Sequence, residues 1–265
     1  MSLRTAAAHR NLLYLLTLKE LRTRYRQSIL GWAWSLLNPI TQMLIFTFVF
    51  LYVFDAAAPV GDPSGLTNFP LYFLSGALPF NFLSISVSVA IGSVQGGAGL
   101  IRKVSFPHEH LVFSVVAAQF VTLLIEFAVL TIALMIAGNM VLPWLPVLLL
   151  VLGLLALFTS GVALALSAAN VFFHDVNYLW SIAVQLLFYA TPIIYQPSFI
   201  TVDWLRAIVE HGPTGTFITA VHDIVYDLQM PGTWVLVRLV VMSAVVFALG
   251  AWVFGRLSPR FAEEM

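Results

Sequence analysis

The chain of 265 residues is 60% hydrophobic and 9% charged, contains no cysteine and has a formal net charge of zero. Its mean hydropathy of +0.95 lies far outside the range of soluble domains. This composition excludes disulfides, thiol catalysis and cysteine-ligated metals, and the balanced charge gives no basis for nucleic-acid binding.

Six apolar segments follow one another along the chain, and most of them have the ~20 residues that cross a bilayer. They are Ile29–Phe54, Phe69–Gln95, Leu111–Ala137, Leu145–Asn170, Tyr178–Tyr195 and Trp234–Gly255. The fifth is the shortest, and its helix is expected to start within the Phe172–Asn177 turn. We therefore predict an all-α integral membrane protein with six transmembrane helices.

Positive charge lies on one side of these segments. Ten of the twelve lysines and arginines fall in the N-terminal segment, the loop after the second span and the C-terminal tail. Only Arg206 and Arg238 lie on the other side. Cytoplasmic loops are enriched in Lys and Arg, so both termini are predicted to be cytoplasmic, and an even number of spans agrees.

Residues 1–28 are predicted to form a cytoplasmic amphipathic interface helix, and residues 29–265 the transmembrane domain. One helical face carries apolar side chains, at Tyr14, Leu18, Leu21 and Tyr25. Another face carries cations, at Lys19, Arg22 and Arg26. This pattern fits either a plain topogenic flank or a helix that also contacts a cytosolic partner or anionic lipid headgroups.

Prolines and glycines mark the first two spans. Pro39 is expected to kink the first span, and Pro79 to bend the second midway. A glycine run is expected to stop the second helix at the cytoplasm, at Gly96, Gly97 and Gly99. The charged segment near 100–110 is then predicted to be a short helix, either a simple connection or a knob that docks into another protein.

Ionisable residues within the spans are few. Glu126 lies at the centre of the third span, where a carboxylate is costly unless it is paired or protonated. We interpret it as either a structural residue that fixes helix packing or a functional acid, and proton coupling is disfavoured because no second ionisable residue lies at similar depth. In the fourth span, small residues such as Gly153 and Gly161 favour close helix packing. No metal site is predicted, since His174 and Asp175 have no third donor at metal-ligand spacing.

The segment near 201–229 is not an ordinary loop. Asp203–Glu210 is predicted to form a short helix, with Thr201 as a candidate cap and Gly212 past its end, and Pro213 starts a second helix. The second helix carries an apolar stripe, at Phe217, Ile218, Val221, Ile224, Val225 and Leu228. Such a pair fits a re-entrant hairpin that dips into the outer leaflet against protein or a water-filled cavity, which indicates a pore or a gate.

In combination, four stretches resemble the permease (transmembrane) subunit of type-2 ABC exporters, in the branch that exports O-antigen, capsule and teichoic acid. They are Ser28–Pro39 with the pattern Ser-x-Leu-Gly-x-x-Trp-x-x-x-x-Pro, Leu100–His110, Phe173–Tyr195, and the paired helices before the sixth span. The resemblance covers nearly the full length. The chain departs from the family pattern with His108 and His174 in place of arginine, and with Gly212 where asparagine often precedes the proline.

The resemblance implies a homodimer of this chain with two separate P-loop ATPase subunits, which bind ATP and Mg²⁺. The present chain has no P-loop, so no catalytic residue and no cofactor is expected on it. The implied cargo is a polyprenyl-diphosphate-linked polysaccharide, exported across the bacterial inner membrane. The implied ATPase-coupling residues are Lys103, Phe106, Pro107 and Glu109, with the N-terminal helix at the same interface.

The resemblance also implies a conduit between the two copies, formed roughly by the first and fifth spans, with the 201–229 hairpin as its extracytoplasmic gate. Aromatic rings are good contacts for the CH faces of sugars. The candidate path residues are Trp32, Trp34, Tyr178, Trp180, Phe188, Tyr189 and Tyr195. The lipid diphosphate needs cationic partners. The candidates at the cytoplasmic mouth are Arg22, Arg24 and Arg26.

Three other classes remain as alternatives. An exporter of a lipid or small molecule in the same family would share these features. An integral-membrane glycosyltransferase or polymerase would need paired acids, and Asp223 and Asp227, which share one helical face, are more simply a solvated polar surface. A secondary transporter would show inverted repeats and paired intramembrane charges, and neither is seen.

Overall fold

The computed structural model describes residues 3–24, 33–53, 59–101 and 106–264. These residues form the helices α1 (Leu3–Arg24), α2 (Ala33–Thr47), α3 (Phe69–Gly96), α4 (Ala98–Ile101), α5 (Glu109–Ile136), α6 (Leu145–Phe172), α7 (Val176–Ala190), α8 (Asp203–His211), α9 (Pro213–His222), α10 (Thr233–Leu257) and α11 (Phe261–Glu264). Turns of π-helix follow α2 and α9, at Phe48–Val53 and Asp223–Asp227. The described part of the chain otherwise has three single turns of 3₁₀-helix, loops and one isolated bridge, between Val60 and Thr67, so the all-α prediction is confirmed there.

Within the described residues, four helices are long and apolar enough to cross a bilayer. They are Phe69–Gly96, Glu109–Ile136, Leu142–Phe172 and Thr233–Arg260, which coincide with the second, third, fourth and sixth predicted spans. The first and fifth predicted spans contain shorter apolar helices, α2 with its π-helical extension and α7. At about 1.5 Å per residue, α7 reaches roughly 22 Å, which is short of the ~30 Å hydrocarbon core.

The ends of α7 follow from its flanking residues. The helix begins at Val176, within the Phe172–Asn177 turn where its start is expected. It ends at Ala190, before the predicted end of the span. The reason is Pro192, because a residue that precedes proline is pushed away from the helical region, and Thr191 is extended with φ −109° and ψ 137°.

Helix α3 lies at the centre of the molecule and packs against α2, α5, α6, α7 and α9. It continues through Pro79 and ends at Gly96, as the glycine run predicts, with Gly97 as its cap. The main hydrophobic core is built around it, for example by Val87 of α3, Leu123 of α5 and Leu152 of α6. Helix α10 packs mainly on α6 and leaves most of its own surface uncovered.

Helices α6 and α10 meet through two glycines. A Cβ atom on Gly161 would lie 2.6 Å from the backbone nitrogen of Phe247, and one on Gly250 would collide with the backbone of Gly161. Backbone atoms cannot move aside as a flexible side chain can. The prediction that small residues in the fourth span allow close helix packing is therefore confirmed at Gly161.

We expect Gly161→Ala to destabilise the protein by about 1–3 kcal/mol, because the added methyl group overpacks the contact between α6 and α10. Gly153→Ala on the same helix is the matched control, since a Cβ there meets nothing within 4 Å. That change is expected to be neutral or slightly stabilising. Thermal unfolding of the purified variants measures both, and equal midpoints would contradict the assigned contact.

Helix α1 packs along α5. Leu16 is buried, Leu18 and Leu21 are half-buried, and Tyr14 is 65% exposed. The buried face of the helix therefore includes Leu16 and not Tyr14, which corrects the predicted apolar stripe. Tyr25, the last residue of that stripe, lies outside the described residues.

The two helices predicted before the last span are present as α8 and α9, which meet at Gly212. The N-terminal cap of α8 is Val202 without a side-chain hydrogen bond, so Thr201 is not the cap. The apolar stripe is at most 2% exposed at Phe217, Ile218, Val221, Ile224 and Val225. Only Leu228, at its end, is half-buried. The stripe is thus a packing surface within the molecule.

Candidate functional site

A cleft opens between the middle of α3 and the C-terminal halves of α2 and α7. We call it the amide cleft because three side-chain amides line it, Gln42 on α2, Asn81 on α3 and Gln185 on α7. Its volume is about 320 Å³, and the other lining residues are Phe46, Phe80, Ser84, Val184, Phe188 and Tyr189. The Oε1 atom of Gln42 is buried without a hydrogen-bond partner within the described segments. Such an atom is costly to leave unpaired, and it becomes an acceptor for a polar ligand once the Gln42 side chain turns towards the cleft.

The helices that border the amide cleft expose large apolar side chains. On α2 and its extension these are Trp34, Leu37, Ile40, Leu44, Ile45, Phe48 and Tyr52. On α7 they are Tyr178, Leu179, Ile182, Leu186 and Tyr189. Three predicted path residues, Trp34, Tyr178 and Tyr189, are therefore uncovered in the described chain and available to lipid or to another protein surface.

Phe188, another predicted path residue, connects the amide cleft to the packed residues behind it. Its ring centroid lies 5.5 Å from that of Phe80 and 6.0 Å from that of Phe46. The Phe46 ring lies 5.0 Å from that of Phe73, which is fully buried. These edge-to-face and tilted ring contacts hold the apolar wall of the cleft in place.

Trp180 does not share the exposure of its neighbours on α7. It is 9% exposed, and its indole N–H donates to Ser88 Oγ at 3.1 Å and to the Ser84 carbonyl oxygen at 3.3 Å. It therefore holds α7 against α3 beside Ser84, which lines the amide cleft. The sequence predicts Trp180 as a substrate contact, whereas in the structure its side chain packs between two helices.

The chain after α7 turns back towards α9. Thr191 is fully buried, and its hydroxyl is hydrogen-bonded to that of Thr214, at the start of α9, at 2.8 Å. The hydroxyl of Tyr195, a predicted path residue, donates to the Tyr189 carbonyl oxygen at 2.8 Å. The Tyr195 carbonyl oxygen accepts from the Tyr72 hydroxyl at 3.1 Å. The end of α7 is thereby bonded to both α3 and α9.

The far end of the hairpin is tied to two loops on the same side of the molecule. The Tyr226 hydroxyl donates to the Pro59 carbonyl oxygen at 2.7 Å and accepts from the Asn68 N–H at 2.9 Å. The Asn139 amide donates to the carbonyl oxygens of Tyr226 at 2.8 Å and Val225 at 3.2 Å. These bonds connect the π-helical turn after α9 to the loops before α3 and after α5, and we call them the hairpin anchor.

Two acids beside the hairpin anchor, Asp223 and Asp227, are partly buried. Burial, followed by the charge of Asp227, raises the pKa of Asp223 to about 6. Burial also raises the pKa of Asp227 to about 6, although a hydrogen bond from the Asp62 N–H, at 3.2 Å, opposes the rise. The solvated face predicted for Asp223 and Asp227 is therefore only partly solvated, because the loop before α3 lies against it.

A carboxyl whose pKa is higher in the folded protein than in the unfolded chain favours folding when it is protonated. We therefore expect the unfolding midpoint to rise as the pH falls from above about 6 towards about 4. Asp227→Asn keeps an acceptor for the Asp62 N–H and should weaken this pH dependence. Asp203→Asn, an exposed acid on α8, is the control that should leave it unchanged. An unaltered pH profile in Asp227→Asn would contradict this account.

The basic residues predicted at the cytoplasmic mouth are described only in part. Lys19 and Arg22 are exposed on α1 and border an open hollow of about 500 Å³ with Leu15, Leu18 and Thr23. The other predicted residues of this region lie outside what the structure describes. They are Arg26, Trp32, Lys103 and the side chain of Arg24. The exposed charges leave α1 able to contact headgroups or a protein partner.

The predicted coupling segment is visible on both sides of residues 102–105, which lie outside the described residues. Phe106 and Pro107 precede α5, and Glu109 is its first residue. The Phe106 ring lies 5.6 Å from that of His108, which stacks on Phe261 at 6.1 Å. Phe261 is fully buried and supports the segment from the C-terminal tail. Phe261 is not among the predicted site residues. The sequence feature that could identify it is a single aromatic side chain within a charged tail.

Glu126 is half-buried on α5 and has an interaction partner. No group of three or more His, Cys, Asp or Glu side chains within the described ranges could hold a metal ion. The amides of Gln42 and Gln185 were also not among the predicted site residues, because a single amide in an apolar span has no distinctive spacing.

Comparison with known proteins assigns the fold described above to a family. Residues 11–226 match the family model of the ABC-2 type transporter. The chain is 30% identical over 259 residues to the O-antigen export system permease protein RfbA of Myxococcus xanthus, covering 97% of this chain and 96% of that protein. It is 28% identical over 257 residues to the RfbA protein of Klebsiella pneumoniae, covering 96% and 94%. A shorter match, 30% over 87 residues and 33% of this chain, is to the polysialic acid transport protein KpsM of Escherichia coli.

The chain therefore belongs to the ABC-2 type transporter family, as the sequence resemblance predicts. Together with its four helices of bilayer length, this makes it an integral membrane protein and a transporter component.

Proposed function

We propose that this chain is the transmembrane subunit of an ATP-driven exporter that moves a polyprenyl-diphosphate-linked polysaccharide from the cytoplasm across the bacterial inner membrane. Its family and the nearly full-length similarity to O-antigen export permeases support the class. The observation that carries the proposal is the amide cleft with its aromatic wall. Aromatic rings pack on the CH faces of sugars, and amides bind their hydroxyl groups.

The proposed topology has six transmembrane helices, with α2 and α7 in the first and fifth spans and both termini in the cytoplasm. The distribution of Lys and Arg supports this orientation. Helices α8 and α9 form a re-entrant hairpin from the extracytoplasmic side. Such backbone is tolerated at membrane depth when it packs on protein, and α9 packs on α3, α6 and α10.

The proposed exporter is a homodimer with its conduit between the two copies. The uncovered faces of α2 and α7 would turn towards the partner copy, so that two amide cleft surfaces border one path. The hairpin closes the extracytoplasmic end of that path. Its contacts to α7 through Thr191 and Thr214 support a gate that responds to movement of α7.

ATP binding and hydrolysis belong to two P-loop subunits, since this chain contains no P-loop. Lys103, Phe106, Pro107 and Glu109 would dock into the ATPase, with α1 alongside. Closure of the two ATPases would then move the docking segments and part the two copies. Near the mouth, Arg22, Arg24 and Arg26 would hold the lipid diphosphate by charge-assisted hydrogen bonds. The chain itself performs no chemistry on the cargo.

Reconstitution tests this proposal. In proteoliposomes, lipid-linked polysaccharide should become accessible to an externally added glycosidase only when the chain, its copurified ATPase and ATP with Mg²⁺ are present together. A non-hydrolysable ATP analogue is the control. Export by the chain without an ATPase would refute the proposal. Equal movement of the polyprenyl diphosphate without its sugars would favour a lipid exporter instead.

A further inference from the structure

We propose that the amide cleft is a subsite for one uncharged sugar residue of the moving polymer, and that it discriminates against acidic sugars. The inference deepens the proposed function and rests on it. The three amides Gln42, Asn81 and Gln185 would bind the hydroxyl groups, and the wall of aromatic rings would receive the CH face.

The three amides come from three helices and converge on one cleft. Each amide offers an oxygen acceptor and two N–H donors, so a pair of amides can bind neighbouring hydroxyl groups of a sugar. The buried Oε1 atom of Gln42 lacks a partner in the described part of the chain, and rotation of this side chain towards the cleft would pair it with a sugar hydroxyl. A cleft of about 320 Å³ lies at the small end of the ~300–1,000 Å³ range of ligand sites, as suits one ring.

The aromatic wall lies beside the amides. Tyr189 is 65% exposed, and its ring stands edge-on to that of Phe188 at a centroid distance of 5.4 Å. This exposed ring and the neighbouring amides of the cleft present one apolar surface and one hydrogen-bonding surface to the same ligand. A pyranose ring has the same division between its CH face and its hydroxyl edge.

The lack of charged side chains around the amide cleft determines which sugars it accepts. The three segments that line the cleft contain no Asp, Glu, Lys, Arg or His, at residues 27–54, 63–101 and 176–202. A carboxylate that entered the cleft would lose water and find no counter-ion on these segments. Burial of an unpaired charge is far more costly than burial of a hydrogen-bonded hydroxyl group. An acidic sugar is therefore excluded from the cleft in favour of a neutral one.

Saturation-transfer NMR on the full chain in lipid nanodiscs tests the inference with two probes of equal length, a mannose oligosaccharide and a sialic acid oligosaccharide. We expect transfer to the mannose probe, and weaker transfer to the sialic acid probe. The triple variant Gln42→Leu, Asn81→Leu, Gln185→Leu should bind the mannose probe about tenfold more weakly. Should that variant not fold, Gln185→Arg supplies a second test, because one cation at the edge of the cleft should reverse the preference towards the sialic acid probe.

Equal transfer to both probes, no transfer to either, or an unchanged preference in Gln185→Arg would each overturn the inference. The ATP-dependent export assay separates these outcomes from failure of the proposed function. If the wild-type protein exports its cargo but shows no preference between the probes, only the subsite proposal is contradicted. If it shows no ATP-dependent export, the proposed exporter function is contradicted.

Discussion

Replacement of Gly215 by alanine is expected to reduce export by roughly five- to a hundredfold while membrane insertion remains intact. Gly215 lies in the first turn of α9, and a Cβ atom there would collide with the carbonyl oxygen of Val209 in α8. That oxygen belongs to the backbone, so α8 and α9 can only move apart. Overpacking costs typically 1–3 kcal/mol, and about 1.4 kcal/mol changes a population tenfold.

The same movement would disturb the contact between the hairpin and α7. Thr214, next to Gly215, is hydrogen-bonded to Thr191 at the end of α7, and Pro192 lies 3.7 Å from the position of the added Cβ atom. Gly215 itself lies outside the four helices of bilayer length in the described part of the chain. We therefore expect the variant to be inserted at normal levels and to fail in transport.

Gly232→Ala is the matched control, because a Cβ there meets only Val235, at 3.9 Å, and the backbone is compatible with alanine at φ −53° and ψ 143°. The measurement is ATP-dependent export in proteoliposomes, with the amount of inserted protein determined in parallel. Normal export by Gly215→Ala would show that the packing of α8 on α9 is not needed for gating.

Local patterns in the sequence predict much of this architecture. The glycine run ends α3 at Gly96, and the residues around Gly212 separate α8 from α9. The apolar stripe of α9 identifies its buried face before any contact is known. Each of these features depends on residues within a few positions of one another, where helix periodicity and breaker residues act directly.

Features that depend on distant residues could not be predicted in this way. The partners of the Trp180 indole, Ser84 and Ser88, are 96 and 92 positions away. An aromatic residue in an apolar span fits a lipid interface, a core or a substrate path equally well. Asp223 and Asp227 have the spacing of a solvated face, and only the loop that carries Asp62 makes them partly buried.

The candidate site, too, could be predicted from the sequence only in part. The family resemblance implies that the first and fifth spans are the walls of a path. The structure exposes Trp34, Tyr178 and Tyr189 on α2 and α7. The sequence does not predict that Gln42, Gln185 and Asn81 line one cleft, because their convergence is set by how α2 and α7 pack on α3. The role of a polar residue within a span depends on the helix that packs against it.

Reversal of charge at the cytoplasmic docking segment is expected to abolish recovery of the ATPase with this chain. Lys103→Glu combined with Glu109→Lys inverts both charges of the proposed knob, so that complementary charges on the ATPase would meet like charges instead. Glu109 is also the first residue of α5, where a carboxylate favours the helix N-terminus, but that contribution is typically below about 1 kcal/mol. Loss of the complex would therefore reflect docking and not unfolding.

Glu210→Lys provides the control for charge reversal as such. Glu210 is on α8, on the proposed extracytoplasmic side, and its pairing with Arg206 at 3.3 Å is an exposed contact of small energetic value. Tagged chain carrying this change should recover the ATPase at the wild-type level. The readout is the ratio of ATPase to tagged chain after purification from membranes, together with ATP hydrolysis. A normal ratio in the Lys103 and Glu109 double variant would remove the docking assignment and leave the membrane fold untouched.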